Sequence, residues 1–193
     1  MVKYIFLLIL AYIIGSIPSG YWFSKFFFDI DITRAGSKNI GATNVARLLG
    51  KKYFLLIFFI DFFKAFIFLF LLNYLGVKTD FLFFVAILIL IGNSFSIFLR
   101  FKGGKGVATS LGLLMALYPI NLIFAFISFW ICLFLFFKRV DIASLSSFLF
   151  ICFFSLFSFH IFSYHFLFLL FFAIWVWLRH FENLKNLIKI IRG

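Results

Sequence analysis

Five long apolar segments, separated by short loops that carry most of the charge, fill this chain. They cover residues 4–23, 54–75, 81–99, 107–137 and 142–178. A helix needs about 20 mostly apolar residues to cross a bilayer, so each segment can hold one or two spans. With 66% apolar and 12% charged residues, the chain has too little polar surface for a soluble domain. The sequence therefore predicts an all-α polytopic membrane protein and excludes the soluble, disordered, fibrous and disulfide-rich secreted classes.

Two of these segments are longer than one span requires. Tyr118-Pro119 falls where a turn would divide residues 107–137, and a turn near residues 160–165 divides the last segment. We therefore expect about seven transmembrane helices in a single membrane domain, residues 1–193. The first segment contains GSIPSG, which is typical of a kinked and tightly packed helix. It lacks an A-x-A-like cleavage site, which argues against a signal peptide.

The basic residues predict the orientation of these helices. With seven spans and the N-terminus outside, fifteen of the eighteen Lys and Arg residues lie on the cytoplasmic side, together with the C-terminus, as the positive-inside rule requires. A five-span alternative with two long tilted helices would place Lys138 and Arg139 outside. The basic excess is explained by anionic headgroups and phosphorylated substrates, so no nucleic acid partner is expected.

The loop after the first span is dense in hydrogen-bonding residues. It contains GSKNIGATNVAR, residues 36–47, in which glycines, hydroxyls and amides precede Arg47. If this segment is helical, Arg47 shares a face with Asn44. Such a loop can surround an oxyanion; the alternative is an ordinary turn with helix-capping residues.

A second basic loop, FKGGKG, lies just before an apolar helix and covers residues 101–106. Three glycines allow backbone N–H groups to converge, the helix N-terminus faces the loop, and Lys105 adds a positive charge. The pattern predicts a phosphate cradle, with a flexible basic loop as the alternative. It is not a Walker A motif, because Gly106 replaces the Ser or Thr that follows the lysine.

Isolated polar residues complete the inventory. Asp61 and Lys64 are three residues apart within an apolar segment, which predicts a structural ion pair. His180 and Asn183 follow the last span and either complete a polar site or anchor the C-terminus at the surface. The sequence has no metal-ligand spacing and no hydrolase motif, so no metal or cofactor is expected.

The two loops together resemble the bacterial membrane acyltransferases that use acyl phosphate to acylate glycerol 3-phosphate. GSIPSG, GSKNIGATNVARLLGKK, DFFK, FKGGKGVATSLG and RHFENL, in this order, carry the resemblance across nearly the whole chain. It implies a seven-helix fold in the bacterial cytoplasmic (inner) membrane, with the active site facing the cytoplasm. It also implies acyl transfer to the 1-hydroxyl of glycerol 3-phosphate, giving lysophosphatidate, the first acylation of phospholipid synthesis. A soluble phosphate acyltransferase that makes the acyl phosphate is the partner implied, beside membrane lipids.

The resemblance also implies roles for individual residues. Lys105 and His180 would be the catalytic residues, with Gly103, Gly104, Gly106 and Thr109 around the donor phosphate. Ser37, Arg47, Ser144, His180 and Asn183 would help bind glycerol 3-phosphate, and Asn39, Thr43 and Asn44 would line the first loop's share of the site. The family usually has a histidine where this chain has Asn93.

Two other function classes compete with this interpretation. A small transporter for anions or phosphate compounds could use the same helices and loops, but the sequence has no convincing internal repeat. A structural membrane subunit would leave the loop glycines without evident use.

Overall fold

A computed structural model describes residues 2–157 and 163–192, and it describes side chains as far as Phe181. The described residues form nine α-helices and one 3-10 helix. The helices are α1 (Val2–Ser16), α2 (Ser19–Phe28), α3 (Ala42–Leu49), α4 (Lys52–Tyr74), α5 (Thr79–Ser94), α6 (Val107–Leu117), α7 (Ile120–Phe137), α8 (Val140–Ser155) and α9 (Tyr164–Arg192), with the 3-10 helix at Ile97–Leu99. The all-α prediction is confirmed.

Prolines lie at the predicted kink of the first segment, which is a break between two helices, and at the predicted turn of the fourth. Pro18 separates α1 from α2, and the two axes are bent by 44°. Pro119 lies between α6 and α7, where a turn was expected. Proline lacks a backbone N–H and disfavours helical geometry at the residue before it, so both breaks have a local cause.

Length and composition identify the helices that could cross a membrane. Helices α4, α7 and the Tyr164–Phe181 part of α9 are each long and apolar enough, and α1 with α2 forms a fourth candidate if the bent pair is one span. Helices α5, α6 and α8 are apolar but shorter, with 16, 11 and 16 residues. The described residues thus contain three or four candidate spans, and the seven-span count and its orientation stay predictions.

The chain divides into two compact units, Met1–Leu117 and Tyr118–Gly193. In the first unit α1 packs against α5, and α4 packs against α6 and α3. Gly15 permits the close approach of α1 and α5, since a Cβ there would lie 2.1 Å from the carbonyl oxygen of Ile89. In the second unit α8 packs against both α7 and α9. The rings of Phe148 on α8 and Phe172 on α9 are fully buried.

Candidate active site

The first loop of the candidate site, between α2 and α3, is organised by one buried side chain. Asn44 lies on α3 and is 1% exposed. Its Nδ2 donates to the carbonyl oxygens of Ile32, Ala35 and Asn39 at 3.2, 3.1 and 2.8 Å, and its Oδ1 accepts from the N–H of Ser37 at 2.8 Å. One amide therefore satisfies backbone groups spread along the whole loop, as buried polar groups require.

Gly36 has no acceptable substitute in this arrangement. Its φ is +58°, and a Cβ there would lie 2.3 Å from Oδ1 of Asn44. Both the left-handed backbone and the close approach favour glycine. The neighbouring Ser37 backbone N–H is thereby directed to Asn44, and the Ser37 side chain is exposed.

The other predicted residues of this loop lie around the same helix. Asn39 closes a short turn, in which its Oδ1 accepts from the N–H of Gly41 at 2.9 Å. Thr43 and Arg47 are exposed on α3. The segment is helical, which was the condition for Asn44 and Arg47 to share a face, but Asn44 is buried whereas Arg47 is open to solvent. Asp31, at the start of the loop, accepts from the Thr33 hydroxyl at 2.6 Å. This hydrogen bond lowers the pKa of the Asp31 carboxyl below its ordinary value, because it stabilises the charged form.

The second loop folds back on the end of α5. The N–H of Gly104 donates to the carbonyl oxygen of Asn93 at 2.8 Å, and Ser96 and Lys102 are joined by a backbone hydrogen bond of 3.2 Å. Gly103 lies so close to α5 that a Cβ would be 2.4 Å from the Asn93 carbonyl oxygen. Helix α6 begins at Val107, directly after the last glycine. The loop and a helix N-terminus therefore adjoin, as a phosphate cradle requires.

Two hydroxyl groups lie buried in the first turns of α6. Thr109 and Ser110 are 1% and 0% exposed. Neither hydroxyl has a hydrogen-bond partner in the part of the chain that the structure describes. A buried hydroxyl without a partner is costly, and such groups occur where a water or ligand supplies the missing bond. Lys105, just before this helix, is partly buried.

The first loop and the 3-10 helix before the second loop share one apolar cluster. Ile32 and Ile40 of the first loop pack with Val45 of α3 and Ile57 of α4, and Leu99 of the 3-10 helix packs against them. Hydrophobic burial thus holds the first loop against the 3-10 helix that leads into the second loop. That the first and second loops form one phosphate-binding site stays a prediction.

A buried polar network lies beneath the second loop. Lys64 Nζ donates to Asp61 Oδ1, to the Ile17 carbonyl oxygen and to Asn93 Oδ1 at 2.7, 2.8 and 3.2 Å. Ser19 Oγ also donates to Asp61 Oδ1, at 2.6 Å. The side chains of Lys64 and Asp61 are only 9% and 13% exposed. The predicted ion pair is confirmed, but its connections to the α1–α2 break and to α5 were missed.

The polar residues predicted from the resemblance in the second unit are internal. Ser144 is fully buried and its Oγ accepts from Nε1 of Trp130 at 3.0 Å. His180 is 4% exposed, with Nδ1 2.8 Å from the Val176 carbonyl oxygen. Nδ1 must carry the proton, because a carbonyl oxygen only accepts. The Asn183 side chain lies outside the described residues.

The described residues contain no group of three His, Cys, Asp or Glu side chains that could hold a metal ion. The two loops of the first unit and the start of α6 instead contain backbone N–H groups, buried hydroxyls and basic side chains. Such groups bind and stabilise anions. The arrangement can hold phosphate groups and support a reaction that releases one.

Comparison with protein families agrees with this chemistry. The family model described as glycerol-3-phosphate acyltransferase matches residues 5–190. A glycerol-3-phosphate acyltransferase of Thermosipho melanesiensis is 38% identical over 187 residues, which are 97% of this chain and 90% of that protein. The enzyme of the same name from the Wolbachia of Culex pipiens is 40% identical over 190 residues, 98% of this chain and 96% of its own.

Two solved structures share the fold. One is a crystal structure of PlsY (YgiH), an integral membrane glycerol 3-phosphate acyltransferase, in its glycerol 3-phosphate form; it aligns with a TM-score of 0.88 and 34% identity over 97% of this chain and 92% of its own. The other is the lysophosphatidic acid form of PlsY, with a TM-score of 0.83 and 33% identity over the same shares of the two chains.

Proposed function

The chain belongs to the glycerol-3-phosphate acyltransferase family, and we propose that it takes its acyl group from an acyl phosphate and transfers it to the 1-hydroxyl of glycerol 3-phosphate. It is an integral membrane enzyme that produces lysophosphatidic acid, the first step of phospholipid synthesis. The family assignment favours the acyltransferase over the anion transporter and the structural subunit.

The strongest support for an acyl phosphate donor is the position of the glycine loop. The glycine loop is fixed to the end of α5 through Gly104 and continues directly into α6, so its backbone N–H groups and the helix dipole share one location. A phosphoanhydride-like donor needs such a site, because its phosphate leaves readily once the developing charge is stabilised. Lys105, Gly103, Gly106 and Thr109 hold that phosphate in this proposal, while Gly104, whose N–H donates to the Asn93 carbonyl oxygen, fixes the loop around it.

Glycerol 3-phosphate binds beside this loop. Arg47 and Ser37 are exposed near the rigid first loop, and a guanidinium can contact a phosphate through two parallel hydrogen bonds. Asn39 and Thr43 line the same loop, while Asn44 positions its backbone. Ser144, His180 and Asn183 are further proposed ligands of glycerol 3-phosphate, on the family resemblance alone.

The reaction needs no cofactor. The 1-hydroxyl oxygen attacks the carbonyl carbon of the acyl phosphate, forming the new ester bond as the bond between that carbon and the phosphate oxygen breaks. Lys105 and the loop N–H groups stabilise the negative charge that develops on the phosphate. We favour transfer of the hydroxyl proton to a phosphate oxygen of the substrates, with His180 Nε2 as the protein base in the alternative route.

The proposal includes a place in the cell. Seven spans with an outside N-terminus put both loops on the cytoplasmic side of the bacterial inner membrane, in agreement with the positive-inside rule. The acyl chain then enters from the lipid, and glycerol 3-phosphate arrives from the cytoplasm. A soluble phosphate acyltransferase supplies the acyl phosphate.

A reconstituted assay tests the function. The purified protein receives acyl phosphate and glycerol 3-phosphate, and phosphate release and lysophosphatidic acid formation are measured together. We expect equal amounts of both products, and their loss in Lys105→Ala. Lys102→Ala, which removes an exposed lysine of the same loop, is the matched control and should keep its activity. Equal or better turnover of acyl-coenzyme A would contradict the proposed donor.

A further inference from the structure

Lys64 determines how the side-chain amide of Asn93 is oriented. Lysine carries three N–H donors and no acceptor, and the Lys64 ammonium lies within hydrogen-bond distance of three oxygens, one of which is Asn93 Oδ1 at 3.2 Å. The amide atom that faces Lys64 must therefore be the oxygen. The opposite orientation would place an NH₂ group against a buried ammonium.

The amide nitrogen of Asn93 consequently faces the glycine loop. Nδ2 is 3.1 Å from the position that a Cβ would take on Gly104, and 3.8 Å from the corresponding position on Gly106. The backbone oxygen of Asn93 accepts the Gly104 N–H at 2.8 Å. One residue thus fixes the backbone of the loop and directs an N–H donor into it.

We propose that Asn93 Nδ2 donates a hydrogen bond to the phosphate of the acyl donor, and that Lys64 is the positioning residue that holds the amide in that orientation. This inference rests on the proposed function of the glycine loop. Asn93 is 5% exposed, so a bond from it to an anion is protected from competition with water. An amide keeps its protons across the physiological pH range, which makes it a constant donor beside the charged Lys105.

Asn93→Asp tests this role. Aspartate is nearly isosteric and keeps an oxygen for Lys64, but it replaces the donor that faces the loop by a second, negatively charged oxygen. We expect the KM for acyl phosphate to rise at least tenfold, inhibition by inorganic phosphate to weaken similarly, and the KM for glycerol 3-phosphate to change less than twofold. Asn121→Asp is the matched control: this exposed residue caps the N–H of Leu122 through Oδ1, and aspartate retains that bond.

Asn93→His provides the rescue. A neutral imidazole accepts from Lys64 with one ring nitrogen and presents an N–H to the loop with the other, so the KM for acyl phosphate should stay within threefold of the wild-type value. A residue that only supported the fold would not discriminate between aspartate and histidine in this way. Both variants are compared with wild type in thermal unfolding.

Equal increases in both KM values in Asn93→Asp, or no change in either, would overturn the inference. If Asn93→Asp does not accumulate, asparagine-labelled wild-type protein gives the decision by NMR. The Asn93 side-chain amide signal is assigned as the one that is absent from the spectrum of Asn93→His. In the wild type this signal must shift when inorganic phosphate is added, and an unmoved signal counts against the proposal. A wild-type protein that is inactive with acyl phosphate refutes the proposed function itself, whereas an active wild type with an indifferent Asn93 refutes only this inference.

Discussion

Asn44 and Ser37 are joined by a hydrogen bond of 2.8 Å from the Ser37 backbone N–H to the Asn44 side-chain oxygen. The donor lies in the loop after α2, and the acceptor lies in α3, seven residues later in the chain. The same amide donates to three loop carbonyls. The loop that carries the proposed glycerol 3-phosphate ligands is therefore held in shape by the Asn44 side chain, whose hydrogen bonds all go to the loop backbone.

Asn44→Asp should abolish activity and destabilise the protein. The variant replaces the NH₂ group by a carboxylate oxygen that faces three carbonyl oxygens, and buried groups left without partners cost about 1–3 kcal/mol each. We expect the apparent Tm in detergent to fall by on the order of 5–10 °C. Asn73→Asp, at an exposed position of α4, is the control. A variant that melts and turns over like wild type would show that Asn44 does not organise the loop.

The sequence predicted the features that have local causes. Proline interrupts a helix through its own backbone, so the breaks at Pro18 and Pro119 could be predicted from the sequence. Asp61 and Lys64 form a pair because residues three apart lie on one face of a helix. The contacts of Asn44 and Asn93 could not be predicted in the same way. Lys64 and Asn93 are 29 residues apart, and only the packing of α4 and α5 brings them together.

The site residues show the same division. The glycine spacing indicated a tight backbone loop before a helix, and that loop is present between α5 and α6. The spacing could not distinguish residues that contact a ligand from residues that hold the loop, because both are small or polar. Asn44 resembles a ligand residue in the sequence, yet its side chain is committed to four backbone groups.

Arg47→Ala should act on one substrate. The arginine is exposed on α3 and, in the proposed site, makes charge-assisted hydrogen bonds to the phosphate of glycerol 3-phosphate, worth about 1.5–3 kcal/mol. The KM for glycerol 3-phosphate should rise roughly tenfold or more, with the KM for acyl phosphate nearly unchanged. Lys51→Ala, a nearby exposed cation, tests for a general charge effect. Unchanged kinetics in Arg47→Ala would reject the contact.

The buried pair of Asp61 and Lys64 should behave as a unit. Removing one partner leaves a charge that is about one-tenth exposed, and such changes cost about 3–5 kcal/mol, whereas replacing both is often nearly neutral. The single variant Lys64→Met should therefore lower the apparent Tm more than the double variant that carries both Asp61→Asn and Lys64→Met. Additive losses in this double-mutant cycle would indicate that the two side chains do not interact.

Asp31 should contribute a small pH-dependent stability. Its pKa is lowered in the folded protein, chiefly by the Thr33 hydroxyl, from an ordinary value of 3.8. The contribution is therefore present above that value and is lost as the pH falls through the lower, folded pKa. Thr33→Val should move the Asp31 pKa upwards, which a pH titration of the carboxyl signal by NMR measures. An unmoved titration would assign the shift to another group.

Gly103→Ala should disable the second loop. The new methyl carbon would lie 2.4 Å from the Asn93 carbonyl oxygen and 2.5 Å from that of Ser94, and main-chain oxygens at the end of a helix cannot move away without the loop moving too. We expect kcat/KM for acyl phosphate to fall more than tenfold. The control is Gly76→Ala, in the turn between α4 and α5, where φ is +76° but no atom lies within 4 Å of the new carbon. That variant should lose about 1 kcal/mol of stability and keep its activity, and equal activity of the two alanine variants would show that close contact with α5 is not required for catalysis.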